Sequence, residues 1–164
     1  MVATSDIDII LDDGANRVAM AQNVFVQVRH GEQTEVALDL MIATFRARKR
    51  HDQRMYFALF VVEDGAPVAT APVRKRQTEV IREILGSGRV QIAAVLEGDG
   101  IMSDLKRIAL RALADTRVGI HNNVEDAVRA LAKVPGAPPA SLLTAVVEAA
   151  RDRTRGSRSR MRTP

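Results

Sequence analysis

The chain has no cysteine and no tryptophan, and only one tyrosine and four phenylalanines in 164 residues. Without cysteine there can be no disulfide, no thiolate metal site and no cysteine nucleophile, which fits a reducing compartment. With aromatics at 3%, the core has to be built from Val, Leu, Ile, Ala and Met. The 46% hydrophobic content supplies ample material for one domain and a short appendage. Long apolar runs are also missing, and none approaches the roughly 20 residues that a membrane-crossing helix needs. The opening "MVATSDIDII" lacks the basic and apolar regions of a signal peptide. These absences lead us to expect a soluble cytoplasmic protein with no membrane partner.

The charge is uneven. The net charge is +4, but the final stretch "RDRTRGSRSRMRTP" carries Arg151, Arg153, Arg155, Arg158, Arg160 and Arg162 against Asp152 alone. The remaining chain is close to neutral, so basicity belongs to a tail and not to the folded body. The tail has no apolar period and reads as disordered. Its arginines could contact nucleic acid through phosphates, meet an acidic protein surface, or aid solubility. Ser157 and Ser159 beside arginines also offer an unspecific kinase target.

Hydropathy patterning gives the order of elements. "IDIILDDGANRVAMAQNVFVQVRHG" contains two or three strands, with a turn at "DDGAN" and with Val24, Val26 and Val28 alternating with Phe25, Gln27 and Arg29. A helix follows, with Thr34 as N-cap, Leu38, Met41, Ile42 and Phe45 at helical spacing, and cations at its C-terminus. "MYFALFVV", Met55 to Val62, is apolar throughout, as suits a strand covered on both faces. A second helix carries Val73, Val80, Ile81 and Ile84 and stops at "GSG". "RVQIAAVLEG" is a further strand. "MSDLKRIALRALAD" reads as a helix capped by Ser103, with Leu105, Ile108, Ala109 and Ala112 on one face. "RVGIH" is a short edge-like strand, and "NNVEDAVRALAKV" a helix with a Val124, Ala127, Val128, Leu131 stripe. Such alternation implies a mainly parallel sheet with helix crossovers. The expected fold is therefore α/β, with a mixed, mainly parallel sheet of four to five strands over residues 5–134. A Pro/Gly linker at 135–139 follows, then an amphipathic helix at 140–152 and the basic tail at 153–164. The Leu142, Leu143, Val146, Val147, Ala150 stripe of that last helix has to be buried, on the domain or in a homodimer.

Specific residues then suggest a family. "VFVQVRHGEQTEVALDLM" resembles the strand–turn–helix that opens the STAS domain, the fold of anti-sigma factor antagonists, with His30, Gly31 and Glu32 at the turn. "MYFALFVVED" is similar to the family's central strand, and "MSDLKRIALRALADTRVGIHNNVEDAVRAL" to its closing half. The likeness spans about Ile7 to Val134 and extends to the looser SpoIIAA-like proteins. In phosphorylatable members, Asp-Ser-Ser-Gly or Asp-Ser-Thr-Gly begins the second helix, and its hydroxyl is modified by an anti-sigma kinase. Here that motif falls on Ala69, Thr70, Ala71 and Pro72, without the Asp or the Gly. The resemblance implies a degenerate switch. Thr70 is either an ordinary helix cap or a phosphoacceptor placed where a helix N-terminus favours phosphate.

Chemistry-bearing residues are sparse. His30, His51 and His121 form no metal-ligand spacing. "GSGR", Gly86 to Arg89, lies at a helix end and reads as a C-cap, not as a nucleophile elbow. "EGDG", Glu97 to Gly100, lacks the glycine pattern and lysine of nucleotide sites, so no cofactor is expected. Glu63, Asp64, Glu97 and Asp99 would make the sheet rim acidic, a surface for a basic partner or a small molecule. The basic "RARKRHDQR", Arg46 to Arg54, has no interleaved aromatic for base stacking. The reading that follows is a non-enzymatic regulatory module that binds a protein partner, such as a kinase or an anti-sigma-like protein. Docking would use Asp64, Thr70, Arg74, Lys75 and Arg76. Nucleic acid bound by the tail and a small molecule at the rim are the alternatives.

Overall fold

The computed structural model describes residues 6–98 and 117–152. The expected helix around Leu105–Ala112 with its Ser103 cap, Asp99 of the rim, and Arg153, Arg155, Arg158, Arg160 and Arg162 of the tail lie outside the described residues.

Three strands come first: β1 (Asp8–Asp12), β2 (Asn16–Ala21) and β3 (Val24–Arg29). They are joined by tight antiparallel turns. Helix α1 (Glu35–His51) then leads to β4 (Tyr56–Val62), α2 (Ala71–Gly86) leads to β5 (Val90–Leu96), and the edge strand β6 is Val118–His121. Two helices close the described chain, α3 (Val124–Ala132) and α4 (Ala140–Arg151). The sheet runs in chain order, β1-β2-β3-β4-β5-β6, with β3 to β6 parallel. The α/β class with a mixed, mostly parallel sheet is thus present, but with six strands and not four to five. The additional strand is β2, whose polar Asn16 and Arg17 begin a strand that is buried along its length.

Consecutive parallel strands joined by right-handed crossovers place their helices on one face. Accordingly α1 and α2 cover the front of the sheet, where Leu38, Met41, Ile42, Phe45, Val73, Val80 and Ile84 pack on Val18, Met20, Phe25, Tyr56, Ala58 and Ile92. The back is covered by α3 and α4, whose Ala127, Val128, Leu131, Leu142, Leu143, Val146 and Val147 meet Ala19, Val24, Val26, Val28, Phe57, Leu59, Ala93 and Val95. The C-terminal stripe is therefore buried on β2 and β3 of its own chain. Because β4 is covered on both faces, its sequence is an unbroken apolar run.

Local chemistry explains the ends of the helices. The Ala37 amide donates to Thr34 Oγ1 at 3.2 Å, the cap expected at the start of α1. Helix α2 ends at Ser87, and Gly88 takes φ +79°, a conformation that glycine adopts without steric penalty. The cations of "RARKRHDQR" are largely engaged: Arg46 pairs with Glu83, Arg48 with Asp8, Arg54 with Asp52, and Lys49 donates to the Ser87 carbonyl. The Arg46–Glu83 pair, with Arg76–Asp39 at 2.6 Å, ties α1 to α2.

Candidate site at the carboxyl edge of the sheet

The parallel strands β3, β4 and β5 end together, and the loop from β4 to α2 begins there. A turn from Glu63 to Ala66, with the Ala66 amide donating to the Glu63 carbonyl at 3.1 Å, uses Gly65 at φ +80°. The chain then passes Pro67, Val68 and Ala69 to Thr70, the N-cap position of α2, and Pro72 sits in the first turn, where its missing N–H costs nothing. Thr70 occupies the cap position but makes no side-chain cap hydrogen bond. The reading of its hydroxyl as a simple cap is therefore not what the structure shows. Thr34 caps with its side chain and Thr70 does not. Thr70 is exposed, as are Asp64 and Lys75.

The other two sequence-derived docking residues are occupied. Arg74 is half-buried and its Nη1 donates to the Ala69 carbonyl at 2.8 Å, folding back over the helix start. Arg76 bridges Asp39 and Glu79. Arg151, grouped with the tail by sequence, is the last residue of α4. It reaches the carboxyl edge, pairing with Glu97 and standing 3.8 Å from Glu63. The acidic rim is thus bridged internally by a cation. Sequence spacing could not reveal this, since the partners lie more than fifty residues apart.

Beneath the loop, on the front face, lies a feature the sequence reading missed. A cavity of about 90 Å³ opens between α1 and α2 over the ends of β3, β4 and β5. Strand register explains its lining. On β3, Gln27 faces Phe60 of β4, which in turn faces Ala94 of β5; one step on, Arg29 faces Val62, which faces Leu96. The single methyl of Ala94 leaves room beside Phe60, and both remain only half-buried although they belong to inner strands. Leu38, Met41, Val80 and Ile81 supply apolar walls, and Val68 and Ala69 of the loop form a rim. Val68 is itself 49% exposed.

The polar groups around this cavity are few and ordered. Gln27 donates to Asn16 Oδ1 at 3.2 Å, and Asn16 donates in turn to the Glu32 carbonyl at 3.2 Å. Gln77 of α2 donates to Gln33, buried ahead of α1. Arg29 is only 4% exposed, and its Nη1 donates to the Pro67 carbonyl at 2.8 Å, holding the loop. Burial lowers its pKa from the ordinary arginine value.

A second cavity, of about 220 Å³, lies on the back face at the same edge. It is lined by Arg17, His30, Arg151, Asp12 and Glu63. Arg17 is 2% exposed, its Nη1 donates to the Asp152 carbonyl, and its Nε lies 3.9 Å from Asp12. His30 Nε2 bonds the Gly14 carbonyl. His121 ends β6, three strands from β3, at a separation on the order of 14 Å from strand spacing alone. Among the described residues no group of three His, Asp or Glu could hold a metal ion. Among them, too, no helix is long and apolar enough to cross a membrane. A scan against protein-family models and a search of curated proteins both give no match for this chain.

Proposed function

We propose that the protein is a non-enzymatic regulatory interaction module, in the manner of the anti-sigma factor antagonists it resembles, and that it docks a protein partner through the loop and helix start at residues 64–76. The observation that carries this reading is Thr70: an exposed residue at the first turn of α2 whose hydroxyl makes no cap hydrogen bond. Exposed Val68 and Lys75 flank it, giving one segment an apolar, a hydroxyl and a cationic contact. Loops held by a rigid scaffold are favoured positions for recognition, and this one is pinned on either side of Val68, by Arg29 on Pro67 and by Arg74 on Ala69. A phosphate on Thr70 would meet the unsatisfied amides of the helix start and reverse the local charge.

The test is site-specific photo-crosslinking in the native cell. A photoreactive residue at Thr70 is compared with one at Thr144, which is exposed on α4 at the other face. The proposal predicts one discrete adduct from position 70 that is lost when Lys75→Glu is added, with none from position 144. Equal, diffuse labelling from both positions would contradict it. The intact mass of the cell-derived chain, with and without Thr70→Ala, reports whether the hydroxyl carries a phosphate.

A further inference from the structure

The two cavities at the carboxyl edge differ in charge balance. The back cavity has Arg17 and Arg151 on its walls together with the carboxylates Asp12 and Glu63, although Arg17 Nε and Nη2 and Arg151 Nε are buried without a hydrogen-bond partner among the described residues. The front cavity has Arg29 and Arg74 on its walls and, among the described residues, no carboxylate at all. Arg29 is more than nine-tenths buried and forms no ion pair with any described carboxylate; the one hydrogen bond from its guanidinium goes to a backbone carbonyl. A guanidinium carries five N–H donors in a planar fork that matches a carboxylate two-point. A buried charge is ordinarily paired, and no described carboxylate pairs this one, which leaves its guanidinium open to an anion entering the cavity.

The rest of the cavity restricts that group. Apart from Arg29, Arg74 and the glutamines Gln27, Gln33 and Gln77, its walls are apolar, with Leu38, Met41, Phe60, Val80 and Ala94 among them. Small-molecule sites have this form, an apolar hollow with a few convergent polar groups at one end, and in α/β folds they lie beyond the carboxyl ends of parallel strands. A volume of about 90 Å³ is several times that needed for one water. This leaves room for the apolar body of a small acid such as benzoate or a short-chain carboxylate.

We propose that the front cavity binds a small organic acid, its carboxylate paired with Arg29 and its apolar body lying between α1 and α2 against Phe60 and Ala94. This site is independent of partner docking at Thr70 and stands or falls without it. Gln77 and Gln33 close the polar end, and Val68 of the loop covers the mouth. Neutral molecules of the same shape gain the apolar contact but leave the cation unanswered. Inorganic anions answer the cation but leave the apolar walls wet.

The test is isothermal titration of the full chain with benzoate, hexanoate, benzyl alcohol and inorganic phosphate. Saturable one-to-one binding of at least one of the two carboxylates is expected, at least tenfold tighter than that of benzyl alcohol or phosphate. Arg29→Met should weaken it at least tenfold. Ala94→Leu, which leaves the charge in place and fills the hollow, should weaken it by a similar factor. The second variant keeps the test decisive should the first fail to fold. Failure of both carboxylates to bind, undiminished binding by Ala94→Leu, or phosphate binding as tightly as benzoate would overturn the assignment.

Discussion

The two faces of this sheet are built from the same six strands and finished differently. On the back, α4 lays Leu142, Leu143, Val146 and Val147 onto the small residues Ala19 and Ala21 and the valines of β3, and every one of those side chains is out of water. On the front, α1 and α2 cover the sheet near the amino ends of the parallel strands but leave a hollow near the carboxyl ends, with Phe60 and Ala94 half-exposed and Arg29 buried without a carboxylate partner among the described residues. A close-packed layer maximises dispersion contacts and burial. A layer with a hollow and a buried cation forgoes part of that stability, and such departures from consistent packing concentrate at functional sites. Under α4 the back face is packed throughout; at the carboxyl edge the front face keeps an apolar hollow, and the back face a cavity lined by two cations and two carboxylates.

The comparison is sharpened first by truncating the back. Leu143 is 0% exposed in the middle of the α4 stripe, so Leu143→Ala should cost about 2–5 kcal/mol, read from urea denaturation. A loss well below that range would mean that α4 is not an integral part of the core. Next comes a pair of neighbours on opposite faces. Ala93 points into the filled back core and Ala94 into the front hollow. Ala93→Leu should cost about 1–3 kcal/mol through overpacking, whereas Ala94→Leu should change stability by less than about 0.5 kcal/mol. Equal costs would erase the distinction between the faces.

Arg29→Met bears on the buried charge itself. Met replaces the arginine with an apolar side chain of similar length and removes a buried cation that no described carboxylate pairs, at the loss of one hydrogen bond to Pro67. The ligand-free variant should be more stable than the parent by on the order of 1 kcal/mol, because apolar replacement of buried charge is often stabilising. Destabilisation instead would assign Arg29 a purely structural role in holding the loop. The smallest effect concerns the surface between α1 and α2. The hydrogen bond from Arg46 holds the Glu83 carboxyl below the usual carboxylate range. Its contribution is present above the ordinary glutamate pKa and is lost as pH falls through the lowered one. The urea midpoint should therefore fall slightly more below pH 4.5 in the parent than in Glu83→Gln, a difference that high salt reduces.

Much of this architecture could be read from periodicity. The unbroken run of β4, the stripes of α1, α3 and α4, the Thr34 cap and the "GSG" stop all express local rules, and each is found in its place. The hairpin strand β2 was harder to read because Asn16 and Arg17 look like turn residues until β1 and β3 bury them. Arg29 shows the limit most clearly. Alternation placed Phe25, Gln27 and Arg29 on one face of β3, and polar residues in alternation suggest a face turned to water. In a strand covered on both sides that face is interior, and only the tertiary structure shows which charges lie within 4 Å of it. Arg151 is the converse case: it heads a run of arginines read as free to meet nucleic acid, yet the helical register of α4 delivers it to Glu97 and Glu63.

The central claim is that Arg29, with no carboxylate partner among the described residues, lies at the end of an apolar hollow on the front face that takes a small organic acid. The side-chain Nε–Hε resonance of Arg29 in the ¹⁵N-labelled full chain, followed through a benzoate titration, tests this most directly. The account predicts a saturating shift of that resonance together with the amides of Phe60, Val68 and Gln77, while Leu143 and Val146 stay still. An unmoved Arg29 signal, or shifts spread evenly over both faces, would contradict it.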